Sequence, residues 1–530
     1  MHVQKFNPAR PNSGQRWGML IDLRKCIGCG ACALACKQTK GTKPPVRRVI
    51  DCGLSGPPER IRNFLPLSCM NCANPPCLEA CPTGATHKRP DGIVEIKADL
   101  CMGCGYCVLA CPYRARTISD GSRRDALDLN VRKKTGTCTK CNFCLERVES
   151  GLGKALIPGR DPEATPVCVL ACSAGALSFG NLNDPGSKIS KLLKENKALR
   201  LQEELGTLPS VFYIPSAPEA KKMRAPLIAP TRQKEWKFLA ALNFYLGGAG
   251  AGFYILCWID LNRASVGAIP ASFKLIGAAL VILGFSGLLI KAARPARGLF
   301  ILKRISSSWI SREVFFGSLF VTAACYEFIH PDVFIRSVGA ASAFLFALSQ
   351  ALILYKARGV SGWNMPVLPP LLATGAVAKG AGVMLLLYPL HLIRPGDFVL
   401  WIIFFGFASN LLFRALYLSY QEHEFRESVK SLRGLRSVLL VVGTGHILPI
   451  FLLSVLLINK GDFGSLAMTA GLSALIGAFA ADTGILLKAG TYRAIRAGEP
   501  RSLYSEVGGS EETKCRIIPI ESAKKKRISK

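Results

Sequence analysis

The sequence predicts a two-part chain: an α+β domain held together by metal, followed by an all-α membrane domain of eight helices. Two observations predict it. Sixteen of the 21 cysteines fall into four quartets between Cys26 and Cys172. From about Trp236 onward the text changes from polar, basic and cysteine-rich to long apolar runs with few acids. At 530 residues the chain has room for two or three domains. The divisions expected are 1–208, a linker at 209–236, a membrane domain at 237–490 and a basic tail at 491–530.

The quartets are Cys26, Cys29, Cys32, Cys36; Cys69, Cys72, Cys77, Cys81; Cys101, Cys104, Cys107, Cys111; and Cys141, Cys144, Cys168, Cys172. The first and third read C-x2-C-x2-C-x3-C. At that spacing a short loop brings three thiolates to three irons of one [4Fe-4S] cubane, while the fourth cysteine reaches a neighbouring cluster. Cys81-Pro82 and Cys111-Pro112 complete a ferredoxin signature, so the domain is expected to be ferredoxin-like and to hold four clusters that exchange ligands in pairs. Closely spaced cysteines also make disulfide frameworks or zinc sites. Zinc sites, however, use two C-x2-C pairs separated by a longer loop. Cys52, Cys257, Cys325 and Cys515 stand alone and read as small buried hydrophobes. Cys138 lies at x2 from Cys141 and offers a competing pair.

The formal charge of +32 raises nucleic-acid binding. Residues 1–235 carry 36 Lys and Arg against 20 Asp and Glu, an excess of 16. Four oxidised cubanes at roughly −2 each offset about half of it. The remainder is spread over cluster surroundings and membrane-flanking loops, so no nucleic-acid partner is expected. Residues 1–24 contain neither an apolar export segment nor a twin arginine, and cluster thiols suit a reducing compartment. Both features predict a cytoplasmic amino terminus.

Between the quartets, strands are expected at 92–96, 176–179 and 211–214. The basic stretch 114–136 reads as a surface insertion, and 185–205 as an exposed amphipathic helix. Eight apolar segments follow, near 238–259, 272–291, 309–329, 335–356, 366–388, 398–419, 437–459 and 464–488. Each approaches the ~20 residues that span a bilayer as a helix. The side shared with the amino terminus carries Lys291, Arg294, Arg297, Lys303, Arg304, Lys356, Arg358, Arg414, Arg426, Lys430, Arg433 and Arg436, against Arg263, Arg336, Arg394 and Lys460 on the other. The positive-inside rule then predicts an inner-membrane protein with the cluster domain and carboxy-terminal tail in the cytoplasm.

The segment Lys140-Cys141-Asn142-Phe143-Cys144 with Arg147, and the exit Phe179-Gly180-Asn181-Leu182-Asn183-Asp184-Pro185, resemble the fourth motif of the iron-sulfur subunit in the DMSO reductase and polysulfide reductase family of complex iron-sulfur molybdoenzymes. That resemblance implies pairings. Cys26, Cys29 and Cys32 would share a cluster with Cys172, and Cys36 one with Cys141, Cys144 and Cys168. Cys69, Cys72 and Cys77 would join Cys111, and Cys81 would join Cys101, Cys104 and Cys107. The membrane half resembles the eight-helix quinol-binding anchor subunit of the same enzymes through Phe244 to Gly252, Arg294-Pro295-Ala296-Arg297, Ser308-Trp309-Ile310-Ser311-Arg312-Glu313, Ala357-Arg358-Gly359 and Trp363-Asn364. The two are usually separate subunits, and Lys291 stands where the anchor pattern generally has a histidine.

The function expected is electron transfer between a separate catalytic subunit, a molybdopterin enzyme by the resemblance, and the quinone pool. No substrate-converting domain fits in the occupied length. Quinone candidates are Lys291, Arg297, Arg312, Glu313 and His446. Lys379 and Asp482, ionisable groups deep in apolar segments, are proton-relay candidates. Paired histidines at matching depth are absent from the spans, so no haem is expected. Two alternatives are a redox-driven proton pump and a quinone oxidoreductase module served by a cytosolic ferredoxin or flavoprotein.

Overall fold

In a computed structural model the described residues are 14–41, 46–54, 62–119, 136–216, 228–262, 271–388, 395–459, 464–495 and 516–517. The chain divides into two compact units. One comprises Met1–Glu79, Ala85–Pro230 and Arg493–Lys530, the other Ala80–Gly84 and Thr231–Tyr492.

The first unit is built on strand β1 (Trp17–Asp22), whose six residues are all buried. Alternation along β1 sends Trp17, Met19 and Ile21 into the main core and Leu20 into a second, smaller one with Ile189 and Ile214. The hairpin of β2 (Arg48–Leu54) and β3 (Arg62–Leu67), with Ile50 opposite Leu65, adds to the main core. Short pairs follow: β4 (Thr86–Lys88) with β5 (Val94–Ile96), and β6 (Thr117–Ile118) with β7 (Cys138–Thr139). Then β8 (Leu177–Asn181) pairs antiparallel to β1, and β9 (Val211–Ile214) pairs parallel to it, in the order β8-β1-β9. Helices α1 (Ala31–Lys40), α2 (Pro76–Glu79), α3 (Tyr106–Ala110), α4 (Leu145–Gly153), α5 (Val167–Leu170) and α6 (Lys188–Glu195) are short. The first five begin within the cysteine quartets or just after one of their cysteines. Ser187 caps α6 by accepting from the Ser190 amide at 3.3 Å.

Several expectations change here. The helix expected over 185–205 ends at Glu195, because Asn196 is extended and Leu199 bridges to Tyr213 as a sheet would. The segment 209–236 is not all linker, since β9 lies inside it and pairs with β1. The start of the expected surface insertion is tied into the fold: Ala115 and Arg116 are buried, and Thr117–Ile118 pairs with β7. The rest of that insertion, 120–135, lies outside the described residues. The tail's first residues are also folded. Thr491–Tyr492 pairs with Thr231–Arg232, Ile495 bridges Ile228, and Ala494 O accepts from Gln202 Nε2 at 2.6 Å.

The second unit is helical: α7 (Phe238–Leu261), α8 (Ala271–Lys291), α9 (Trp309–Ile329), α10 (Val333–Tyr355), α11 (Leu368–Leu387), α12 (Asp397–Ser419), a short α13 (His423–Val429), α14 (Leu435–Ile458) and α15 (Gly464–Lys488). Among the described residues seven of these are long and apolar enough to cross a membrane. The eighth segment expected, α9, is a 21-residue helix that carries Arg312, Glu313 and Glu327. One core joins α7 to α8, α9 and α10 through Ala251, Tyr254, Ala278, Phe320 and Phe346. Another joins α7 to α11, α12, α14 and α15 through Phe253, Leu256, Ala381, Phe407, Leu453 and Ala470. Glycines let α7 and α11 touch, since a Cβ on Gly252 would collide with the Ala376 carbonyl and one on Gly380 with the Gly252 backbone. Large apolar side chains point outward instead of into a core: Phe405 is 62% exposed, Phe451 62% and Ile458 77%. A water-facing surface does not carry such a belt, and a bilayer-facing one does. The unit is a membrane domain.

Candidate metal centres

The cysteine loops share one backbone device. In all four quartets the residue just before the second cysteine has positive φ: Gly28 (+71°), Asn71 (+42°), Gly103 (+75°) and Phe143 (+56°). That left-handed residue folds each C-x2-C loop back so its two thiols converge. Glycine and asparagine adopt it readily, whereas at Phe143 it costs roughly 1–2 kcal/mol. Phe143 is fully buried and meets Phe179 edge-on with centroids 5.4 Å apart, which holds the strained loop in place.

Three sets of thiols from different quartets lie close enough to act on one another, around Cys26, Cys36 and Cys72, and Cys107 has Cys138 as its neighbour. Burial pushes Cys26 up, as do its neighbours Cys32, Cys172 and Cys29. Burial and then Cys141 push the Cys36 thiol up to about 12, with Cys168 and Cys144 adding to it. Cys72 is raised by burial, then by Cys69, Cys77 and Cys111. Cys107 is raised by a hydrogen bond with Cys138 and by burial. Cys81 is buried with Thr83 Oγ1 3.8 Å from its sulfur. Amides point at several sulfurs: Asn71 N to Cys69 at 3.5 Å, Ala176 N to Cys172 at 3.3 Å and Cys138 N to Cys101 at 3.4 Å. Such bonds favour thiolate over thiol.

Two buried cations test whether an iron-sulfur cluster fits. Arg47 is wholly buried, gives Nη2 to Met19 Sδ at 2.9 Å, and leaves Nε and Nη1 without a hydrogen-bond partner. Burial works against its charge, but Cys168, Cys141, Cys32 and Cys36 as thiolates hold its pKa above the usual arginine value. Arg116, buried, bonds Thr86 Oγ1 at 3.1 Å and Cys138 Sγ at 3.6 Å, again with Nε and Nη2 unpartnered. Burial opposes its charge too, and Cys77, Cys138, Cys107 and Cys69 raise it. A buried guanidinium without a counter-charge costs several kcal/mol. An anionic thiolate-bound cluster held by the neighbouring cysteines would supply that counter-charge and could accept the N–H groups left over on Arg47 and Arg116. Among the described residues no three His, Cys, Asp or Glu side chains converge tightly enough for a single ion. Zinc draws its thiolates to about 2.3 Å, whereas a cubane spreads its four ligands over a wider tetrahedron. The donor set fits [4Fe-4S] clusters.

In the membrane domain the candidates separate. The Lys291 side chain lies outside the described residues. Arg297 lies in the 3-10 turn Pro295–Arg304. The Arg312 guanidinium is taken up by Ile305 O at 2.9 Å and Ser306 O at 2.7 Å, and lies 4.0 Å over the Trp309 ring, so it closes the turn into α9. Glu313 is buried, and its Oε1 accepts from Asn243 Nδ2 at 2.9 Å and Gln350 Nε2 at 3.1 Å. Gly247 leaves room for the glutamine, as a Cβ there would lie 2.6 Å from Gln350 Nε2. Both ring nitrogens of His446 are engaged, with Asn410 Oδ1 and Val441 O, each at 2.7 Å. Lys379 pairs with Asp482 at 2.7 Å and donates to Phe244 O at 3.0 Å, both side chains being buried.

Asn243 and Gln350 escape the sequence reading because neutral amides in an apolar run carry no charge signal. So does a cluster around Glu327, whose carboxylate takes Lys274, Arg336 (2.6 Å) and Tyr254 (2.9 Å) while 1% exposed. An acid and a base within two expected spans were the available sign.

Comparison with known proteins places the first unit. A family model described as a 4Fe-4S dicluster domain matches residues 61–182, and a 4Fe-4S binding domain matches 17–38. The B subunit of selenate reductase from Mesobacillus selenatarsenatis is 36% identical, the match covering 39% of this chain and 74% of that protein. The Hdr-like menaquinol oxidoreductase iron-sulfur subunit 1 of Archaeoglobus fulgidus is 36% identical over 39% of this chain and 86% of its own length. The B polypeptide of Wolinella succinogenes polysulfide reductase is 36% identical over 38% of this chain and 95% of its own. With the grouped cysteine loops and nearly whole relatives aligned on them, the chain belongs, through its cysteine-rich unit, to the family of 4Fe-4S iron-sulfur subunits of the DMSO and polysulfide reductase complexes.

Proposed function

We propose that this chain carries electrons through four [4Fe-4S] clusters between a separate catalytic subunit, a molybdopterin enzyme by family, and quinone held in its own membrane domain. The observation that supports it most is the pair of buried, half-unpartnered guanidiniums, Arg47 and Arg116, set among the cysteine groups of a chain that continues into a membrane domain. The clusters, when bound, supply one-electron redox chemistry. The chain's residues do the rest. The sixteen cysteines in the pairings given above hold the irons, amides such as Ala176 N stabilise sulfur charge, and the left-handed residues keep the loops folded.

Quinone, menaquinone by analogy with the relatives' names, takes two electrons and two protons. A site therefore needs a hydrogen-bond donor and a group that holds a proton. Glu313 with Asn243 and Gln350 offers both in an apolar setting, which makes it the favoured quinone residue over His446 and Arg312. Lys379 and Asp482 are assigned as proton-relay groups. We assign α9 as the eighth span, because its Glu313 and Glu327 face inward and are hydrogen-bonded, as charges in a spanning helix must be. No haem is assigned. The bias of basic residues orients the amino terminus and tail to the cytoplasm of an inner membrane.

Metal analysis of the purified native complex tests the reading. Sixteen irons per chain, with molybdenum or tungsten in a second subunit, are expected. A complex with far less iron, or one that reduces no quinone analogue when its clusters are reduced, refutes it.

A further inference from the structure

The membrane domain also contains a cavity that none of these groups occupies. It opens among the end of α12, the first half of α14 and the end of α15, between Leu418, Val438, Val442 and Ala480, with Arg414 and Lys488 in its lining. Two π-wound stretches shape it, Leu439–Ile447 in α14 and Gly484–Lys488 in α15. A π turn inserts an extra residue and breaks the regular ridges by which helices close on one another, and such turns recur at functional sites. Nearby, Gly445 and Gly477 meet backbone to backbone, with a Cβ on Gly445 only 2.9 Å from Gly477 Cα. The helices thus touch at the glycines and part at the cavity.

The chemistry of the lining is one-sided. Arg414 is 8% exposed and its Nε has no hydrogen-bond partner. No Asp or Glu is among the described residues that line the cavity. The nearest groups that could carry protons are committed elsewhere: Asp482 to Lys379, and His446 to Asn410 and Val441. A guanidinium stays charged at any working pH. It therefore suits a fixed anion and cannot serve the proton traffic of a quinone. Leu440 both lines the cavity and is exposed on the apolar outer surface, as Leu435 and Leu439 of the same helix are, so the cavity borders the surface an acyl chain would occupy.

We propose that this cavity binds an anionic phospholipid, its phosphate on Arg414 and Lys488 and an acyl chain along Leu418, Val438 and Val442. Basic pockets between membrane helices are the general solution for acidic headgroups. The phosphate gives the unpartnered Arg414 Nε–H an acceptor, which Asp482, the carboxylate that acts on Arg414 from outside the lining, does not provide while it is bonded to Lys379.

The test uses the full-length protein in phosphatidylcholine nanodiscs containing a fraction of phosphatidylglycerol, with retained lipid counted by native mass spectrometry. Wild type should retain one phosphatidylglycerol with about a tenfold preference over phosphatidylcholine. Arg414→Gln and Lys488→Gln should lose the preference, and Ala480→Leu, which fills the cavity without changing charge, should lose the bound lipid. Iron content and cluster spectra identify any variant that misfolds, and the Ala480 and Lys488 variants keep the test open if Arg414→Gln does. Equal retention of both lipids, wild-type retention in the cavity-filled variant, displacement by millimolar inorganic phosphate, or displacement by a quinone analogue would each overturn the proposal. The last two would mark a free-anion site or a quinone site instead.

Discussion

Replacing Arg47 tests whether a buried cation sets the potentials of particular clusters. Its charge faces Cys32 of one ligand group and Cys36, Cys141 and Cys168 of another. A positive charge favours the more negative, reduced state, so its loss should lower the potential of both. At a separation of about 6 Å and an effective dielectric of about 20, a unit charge is worth ~3 kcal/mol. One electron at 59 mV per tenfold converts this to about 120 mV. Arg47→Met should therefore shift two clusters by ~60–120 mV to more negative values, the lower figure allowing for water and side-chain relaxation. Arg47→Lys should shift them far less. Redox titration followed by electron paramagnetic resonance reads the four clusters separately. The other two, grouped around Cys72 and Cys107, should stay within error in both variants. An equal shift of all four, or none in the methionine variant, would refute the electrostatic account.

The ligand pairings are checked by Cys36→Ala, expected to abolish the cluster shared with Cys141, Cys144 and Cys168 while the cluster of Cys26, Cys29, Cys32 and Cys172 keeps its spectrum, giving about twelve irons per chain. Glu313→Gln keeps the shape and the contact with Asn243 but cannot hold a proton. It should slow quinol-driven cluster reduction by about 10²- to 10⁴-fold with iron content unchanged. Lys379→Met leaves Asp482 buried and unpaired and should lower stability by about 3–5 kcal/mol, whereas Lys379→Met with Asp482→Leu should recover most of that loss in thermal unfolding of the solubilised protein. Phe143→Gly relieves the left-handed strain but removes a buried ring, and the lost ~3–5 kcal/mol of packing outweighs the ~1 kcal/mol regained. It should bring cluster loss at lower temperature.

The division of the chain, the four cysteine groups and the apolar segments follow from the sequence, because metal-ligand spacing and a bilayer's thickness are both counted in consecutive residues. Glycine at 28 and 103 even marks two of the four left-handed positions that precede the second cysteine of each quartet. What tertiary structure alone decides is everything that depends on partners distant in the chain. The strand expected at 211–214 forms as β9, but that it joins a sheet whose central strand lies some 190 residues earlier, tying the start of the expected linker into the first unit, is seen only from the pairing with β1. Arg47 and Arg116 look like surface charge in a basic segment and become buried counter-ions only when cysteines from several quartets close around them. Asn243, Gln350 and Glu313 belong to three different helices, and Arg414 faces a cavity made where two π turns hold helices apart. Local spacing determines which atoms can bind iron or enter a membrane. The long-range packing determines which charges are left unpaired, and those charges define the sites.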